Sequence, residues 1–138
     1  MIDTSVLVAA IRSPLGASKA LLDAALAGQI EMLISTALVL EYEAVLTRSE
    51  HLRVSEFSLQ EVEKLLDAIC REATEVSIRW QWRPQMHDAD DEMVLETAIN
   101  GHADSIITFN RADFVHAAKQ FSLKVLSPRQ ALGKVVIP

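Results

Sequence analysis

Residues 88–114 read DADDEMVLETAINGHADSIITFNRADF, and this stretch decides the fold. Asp88 ahead of Ala89 is a helix-capping signal. Apolar residues then recur at helical spacing through Val94, Leu95, Ala98 and Ile99, until Gly101 stops the pattern. Ser105-Ile106-Ile107-Thr108-Phe109 is a short apolar run, expected to be a buried strand, and a further helix follows with Phe114, Val115 and Ala118. Helix, strand and helix in direct succession predict a strand covered by helices.

The same alternation extends outward in both directions. Ile2 begins a very short strand, and Val6 to Ile11 reads as a helix. Leu15 to Gly28 is a second helix through Leu21, Leu22, Ala25 and Leu26. Met32-Leu33-Ile34 is a brief strand, and Ser35 or Thr36 caps a helix carrying Leu38, Tyr42, Val45 and Leu46. Ser58 with Glu61 is a capping box opening a helix towards Cys70. Val76 to Trp82 alternates like a strand until Pro84, Lys124-Val125-Leu126 is the last strand, and Ser127-Pro128 starts a terminal helical turn. Strands alternating with helices predict an α/β domain whose parallel sheet is covered on both faces.

In such a sheet, ligands gather beyond the carboxyl ends of the strands. Asp3 stands at one such end, and Asn110 and Asp113 follow another. Asp3 either faces a site there or caps the helix behind it. Asp91 is the most informative acid, because it sits at the centre of the stripe made by Val94, Leu95, Ala98 and Ile99. Asp90 and Glu92 fall on its flanks and Glu96 on the far side. An unpaired carboxylate facing the interior is costly; a metal ion explains the orientation better than the helix dipole, which makes no demand on the face used. Glu41 and Glu43 border the apolar stripe of their helix on opposite sides, and periodicity does not choose between them.

The totals bound the function. With 138 residues the chain is expected to form one domain, 1–138. A single cysteine, Cys70, excludes an internal disulfide framework and fits a reducing cytoplasm. No apolar run reaches the length of a membrane span, and the start Met1-Ile2-Asp3 lacks the features of an export signal, so a cytoplasmic location is expected. Net charge is −6, from 13 Lys+Arg against 19 Asp+Glu. That balance speaks against an electrostatic nucleic-acid binder, but four metal-ligating carboxylates set aside from the 19 leave 15 against 13. An all-oxygen ligand set selects Mg²⁺ or Mn²⁺. His51, His87, His102 and His116 are scattered and no CxxC is present, so zinc is not expected; His87 beside Asp88 is a minor proton-donor candidate. The chain has neither a Gly-rich phosphate loop nor a GxSxG elbow.

Taken in order, Asp3-Thr4-Ser5, Glu41 to Leu46, Asp88 to Glu92 and Thr108 to Phe114 resemble the PIN-domain family. The resemblance is nearest to its bacterial toxin components of toxin–antitoxin pairs, the VapC-like branch, and spans essentially the whole chain. It implies a parallel sheet of about five strands flanked by helices. It also implies a Mg²⁺- or Mn²⁺-dependent endoribonuclease that leaves a 5′-phosphate and a 3′-hydroxyl. Asp3, Glu41 and Asp91 match the family's three acidic metal positions. Asn110 stands where many members carry Asp, and Asp113 three residues on shares that fourth corner. Ser5 and Thr108 match hydroxyl positions that orient ligands. The resemblance further implies a separate antitoxin protein and a homodimer, with Val135-Val136-Ile137 as one candidate contact. The start departs from the family: only Met1 and Ile2 precede Asp3, which implies a shortened central strand.

The reaction so implied is hydrolysis of a phosphodiester by a metal-activated water. Arg12, Arg48 and Arg111 each follow a site element and are the candidate phosphate contacts on RNA. Arg79-Trp80-Gln81-Trp82-Arg83 offers base stacking, although alternation favours Ile78, Trp80 and Trp82 sharing a packed face. Two rivals remain. A phosphotransfer domain needs an acid where Ser5 stands and a Lys after Thr108. A catalytically silent module of the same fold, binding RNA or protein, is kept open by Asn110.

Overall fold

The computed structural model describes residues 1–55, 57–81, 86 and 88–135. Its elements follow the expected alternation: helices α1 (Thr4–Arg12) and α2 (Ala17–Leu26), strand β1 (Leu33–Ile34), helices α3 (Thr36–Leu46), α4 (Ser49–Ser55) and α5 (Leu59–Glu72), and strand β2 (Thr74–Glu75). Then come α6 (Ala89–Asn100), β3 (Ser105–Ile107), α7 (Arg111–Gln120), β4 (Lys124–Leu126) and α8 (Pro128–Leu132). Local chemistry sets most boundaries. Ser35, Ser58, Asp88 and Ser127 each accept a backbone N–H at a helix start, with full capping boxes at Ser58/Glu61 and Ser127/Gln130. Gly28, at φ +78, takes the left-handed conformation that ends α2.

The strands form two parallel pairs, β1 with β2 and β3 with β4, and Ile2 makes a parallel bridge to Ile107. A continuous sheet of about five strands is not what the described residues form. Ile107 N–H donates to Met1 O at 2.8 Å and Asp3 N–H donates to Ile107 O at 2.9 Å, so residues 1 and 3 serve β3. By strand alternation the polar groups of Ile2 point the other way. There, the Ile2 carbonyl accepts from the Tyr42 hydroxyl. A side chain thus satisfies the group that a ladder to β1 would have used.

Two further expectations are corrected. Pairing of the Val76–Trp82 segment ends early, because β1 is only two residues long and Val76 N–H to Ile34 O is its last rung. Beyond it the Asn100 side chain takes the N–H groups of Arg79 and Trp80 and donates to Trp80 O. The expected strand Ser105–Phe109 ends at Ile107. Trp82, Pro84, His87 and the ending Val136-Ile137 lie outside the described residues.

The core joins Leu7, Ile11, Leu21, Leu22, Leu38, Leu46 and Ile69 from the helices to Leu95, Ile106 and Phe114, all nearly inaccessible. Each such side chain contributes ~1.5–3 kcal/mol on burial. α6 packs on both β1 and β3, and α3 packs on α1, α5 and α6. This arrangement brings the starts of α1, α6 and α7 to the carboxyl ends of Ile2 and β3.

Candidate metal centre

Asp3 is buried at the start of α1, in the position of an N-cap, yet its side chain makes no capping bond. Its Oδ2 accepts instead from Ser5 Oγ at 2.8 Å and from Thr108 Oγ1 at 2.7 Å. The capping alternative for Asp3 is therefore set aside by geometry. Thr108 is fully buried just past β3, and its hydroxyl also accepts Asn110 N–H at 2.9 Å. Phe109 N–H donates to Ser5 Oγ at 3.3 Å. Two hydroxyls from two chain segments thus fix one carboxylate oxygen, and Oδ1 is left outside these bonds. Asn110 repeats the pattern: it occupies the N-cap position of α7 without a side-chain capping bond.

The other acids approach from separate helices. Asp91, in the first turn of α6, has its carboxyl pushed up to about 6, by burial first and then by Asp3, Asp88, Asp113 and Asp90. A helix N-terminus by itself favours the charged form; here the loss of solvent and the neighbouring acids outweigh it. Glu41, on α3, is likewise raised, by burial first, then by Asp90, with Asp88 and Asp3 adding and Arg48 opposing. Glu43 is exposed. The choice that periodicity left open thus falls to Glu41 as the acid facing the others. Tyr42 beside it is fully buried, its phenol held far above its usual range by burial and by Asp3, so it stays a hydrogen-bond donor to Ile2.

Asp3, Glu41, Asp91 and Asp113 thus share one electrostatic neighbourhood, with Ser5, Thr108 and Asn110 at its base. Asp88 and Asp90 belong to it as well and were not singled out from sequence; the clustering of four acids in residues 88–92 was the available signal. Of the arginines, Arg48 is close enough to act on Glu41 and Arg111 opens α7 beside Asn110. Arg12 sits at the far end of α1, about 13 Å along the helix from Asp3.

Two placements differ from expectation. Glu92 and Glu96 are both buried, whereas helical spacing put the first on a flank and the second on the solvent side. Glu92 Oε1 accepts Met86 N–H at 2.8 Å, and Gln81 Nε2 donates to Glu96 Oε2 at 3.5 Å, so Gln81 and Met86 both meet that face of α6. Trp80 is 64% exposed, so of the two packings expected for it, core or subunit contact, this chain's core is not the one used.

The donor set is all oxygen, and burial first, then the neighbouring acids, raises the Asp91 carboxyl. Both properties fit a hard divalent cation. Among the described residues no three acids are grouped closely enough to hold a metal ion as they stand. Cavities of about 360 and 780 Å³ lie at the amino ends of the strands and touch none of these four acids.

A family model described as PIN domain matches residues 1–112. Comparison with curated proteins and with solved structures gives no match. Asp113 lies one residue beyond the matched span.

Proposed function

The chain belongs to the PIN-domain family, a nuclease-type α/β fold, and on that premise we propose that it is a Mg²⁺- or Mn²⁺-dependent endoribonuclease. The observation that carries the reading is the pinning of Asp3 Oδ2 by Ser5 and Thr108 beside the raised carboxyls of Asp91 and Glu41. Asp3, Glu41 and Asp91 would hold the ion, with Asp113 and Asn110 as the fourth corner. A divalent cation bound there supplies charge neutralisation at the phosphate and an attacking water of lowered pKa. The protein's own part is orientation. Thr108 and Ser5 hold Asp3 Oδ2 in one orientation, the start of α6 carries Asp91, and Arg48 and Arg111 would meet flanking phosphates.

By the same reading this is the toxin of a toxin–antitoxin pair, working in the cytoplasm as a homodimer and restrained by a separate antitoxin. Its support is the order and spacing of the four motifs. No single described helix is long and apolar enough to cross a membrane. A silent RNA- or protein-binding module is the second reading, favoured by Asn110 and by the lack, among the described residues, of three acids grouped to hold a metal ion.

The test is cleavage of a mixed single-stranded RNA panel in Mn²⁺, Mg²⁺ or EDTA, beside Asp91→Asn. Metal-dependent cleavage lost in the variant is expected. No cleavage by a protein with a normal melting transition refutes the enzyme and leaves the silent module. Cleavage by Asp91→Asn at the wild-type rate refutes the ligand assignment.

A further inference from the structure

We infer that the ring of Phe109 is a stacking platform for a base of single-stranded RNA lying across the acids. The inference rests on the nuclease reading and adds the contact that would select unpaired substrate. Phe109 is 55% exposed in the connection between β3 and α7. Its mount is fixed on both sides. Its own N–H bonds to Ser5 Oγ, the preceding Thr108 hydroxyl bonds to Asp3, and the following Asn110 N–H bonds back to Thr108. The ring therefore leaves the backbone one residue from the side chain that orients Asp3.

Singly exposed apolar residues are ordinary and most need no explanation. Leu40, Val54, Leu59 and Val115 lie on helix surfaces. Trp80, the other large exposed aromatic among the described residues, borders the cavity with Gly101 and His102 at the amino ends of the strands. Phe109 differs in standing at the carboxyl ends, where the acids are. The crowd of carboxylates around Asp91 repels a phosphate backbone wherever no cation intervenes. An uncharged π face holds a base without that penalty and accepts any base sequence. A phenyl ring has only two side-chain torsions to order, so little entropy is lost on contact. Arg111, exposed two residues on at the start of α7, is placed for the adjoining phosphate. A paired base keeps its faces in the duplex stack, so the platform serves unpaired strands.

The test measures binding of a single-stranded RNA bearing 2-aminopurine, in Ca²⁺, by wild type and by Phe109→Trp, Phe109→Leu and Phe109→Ala. Cleavage constants are then taken in Mn²⁺. Stacking predicts fluorescence quenching by wild type and by the Trp variant, and none with the same RNA in a duplex. It predicts binding weakened about 5- to 150-fold in both Leu and Ala variants, the worth of one stacked base, with the cleavage loss falling on KM rather than kcat. A Leu variant that binds like wild type overturns the inference, because bulk without a π face then suffices. Equal RNA binding by all four proteins, with dimer dissociation in the Ala variant alone, overturns it in favour of a protein contact. Wild type that neither binds nor cleaves any RNA sinks the nuclease reading itself and the platform with it.

Discussion

Replacing Asp91 by Asn should make the metal-free protein more stable at alkaline pH, and the size of the gain follows from its surroundings. The Asp91 carboxyl rises from 3.8 to about 6 on folding, so the folded state prefers it protonated. At about 1.36 kcal/mol per unit the full shift corresponds to about 3 kcal/mol. Asp91 is only partly buried, and solvent screening brings the expected figure to about 1 kcal/mol. The sign is fixed by linkage. Below pH ~4 both folded and unfolded chains are protonated and Asp91 costs nothing. As pH rises from about 4 to about 6 the unfolded chain ionises first, and stability is lost. Above the folded value the loss is complete and constant. Asn has the shape of the protonated acid and removes the loss. Thermal melts in EDTA at pH 8 should therefore show the variant about 3 °C above wild type, and melts near pH 4 should coincide. Adding Mn²⁺ at pH 8 should reverse the order, since the ion stabilises whichever protein binds it more tightly. A variant that melts below wild type in EDTA at pH 8 refutes the repulsion argument. An equal gain from Mn²⁺ in both proteins refutes Asp91 as a ligand.

Thr108→Val removes the buried hydroxyl that holds Asp3 Oδ2; a loss of about 1.5–3 kcal/mol in urea unfolding is expected for a bond to a charged group, together with weaker Mn²⁺-dependent cleavage, while Thr108→Ser retains most of both. A Val variant as stable and as active as wild type contradicts the pinning role. Gly101→Ala tests the packing of α6 on β1: a Cβ there meets Leu33 Cδ1 at 2.6 Å and Val76 Cγ2 at 2.8 Å. Overpacking should cost about 1–3 kcal/mol, read as a lower urea midpoint with normal metal affinity at the distant acids; an unchanged midpoint shows that the neighbours yield freely.

Much of the scaffold was legible because its signals are local. The Ser58/Glu61 box, Asp88 ahead of α6 and Ser127-Pro128 ahead of α8 each announce a helix through bonds made within four residues. Gly101 was legible as a stop but not for its reason: its φ is ordinary, and what excludes a side chain is the approach of Leu33 and Val76 from elsewhere in the chain. α4 carries no comparable signal, since seven residues with one buried side chain, His51, give periodicity nothing to repeat. The alternation from Val76 misled because a strand needs a partner as well as a pattern. β1 offers only two residues, and Asn100 satisfies the backbone that follows. Glu92 and Glu96 were missed for a related reason: α6 is covered nearly all round, so the one-sided stripe that assigns faces to an amphipathic helix does not apply.

The candidate site was legible in a different way, through residues whose local roles go unfilled. Asp3 and Asn110 both stand at helix starts with side chains suited to capping, and neither caps. A missing cap forgoes about 0.5–2 kcal/mol. Four other helix starts do make that bond: Ser35, Ser58, Asp88 and Ser127 all cap. A sequence reader sees Asp before a helix and cannot tell the two cases apart, because the bonds that divert Asp3 come from Ser5, two residues away, and from Thr108, 105 residues away. Two charge-assisted hydroxyl bonds on one oxygen outweigh a single cap to a backbone N–H. They also leave Oδ1 outside that network, while the Asp3 charge adds to the burial and the other acids that raise the Asp91 and Glu41 carboxyls. Local propensity is overruled at two of the three helix starts that border the acids, those of α1 and α7. Under the proposed function that coincidence has a reason, because a carboxylate diverted from capping can face a cation.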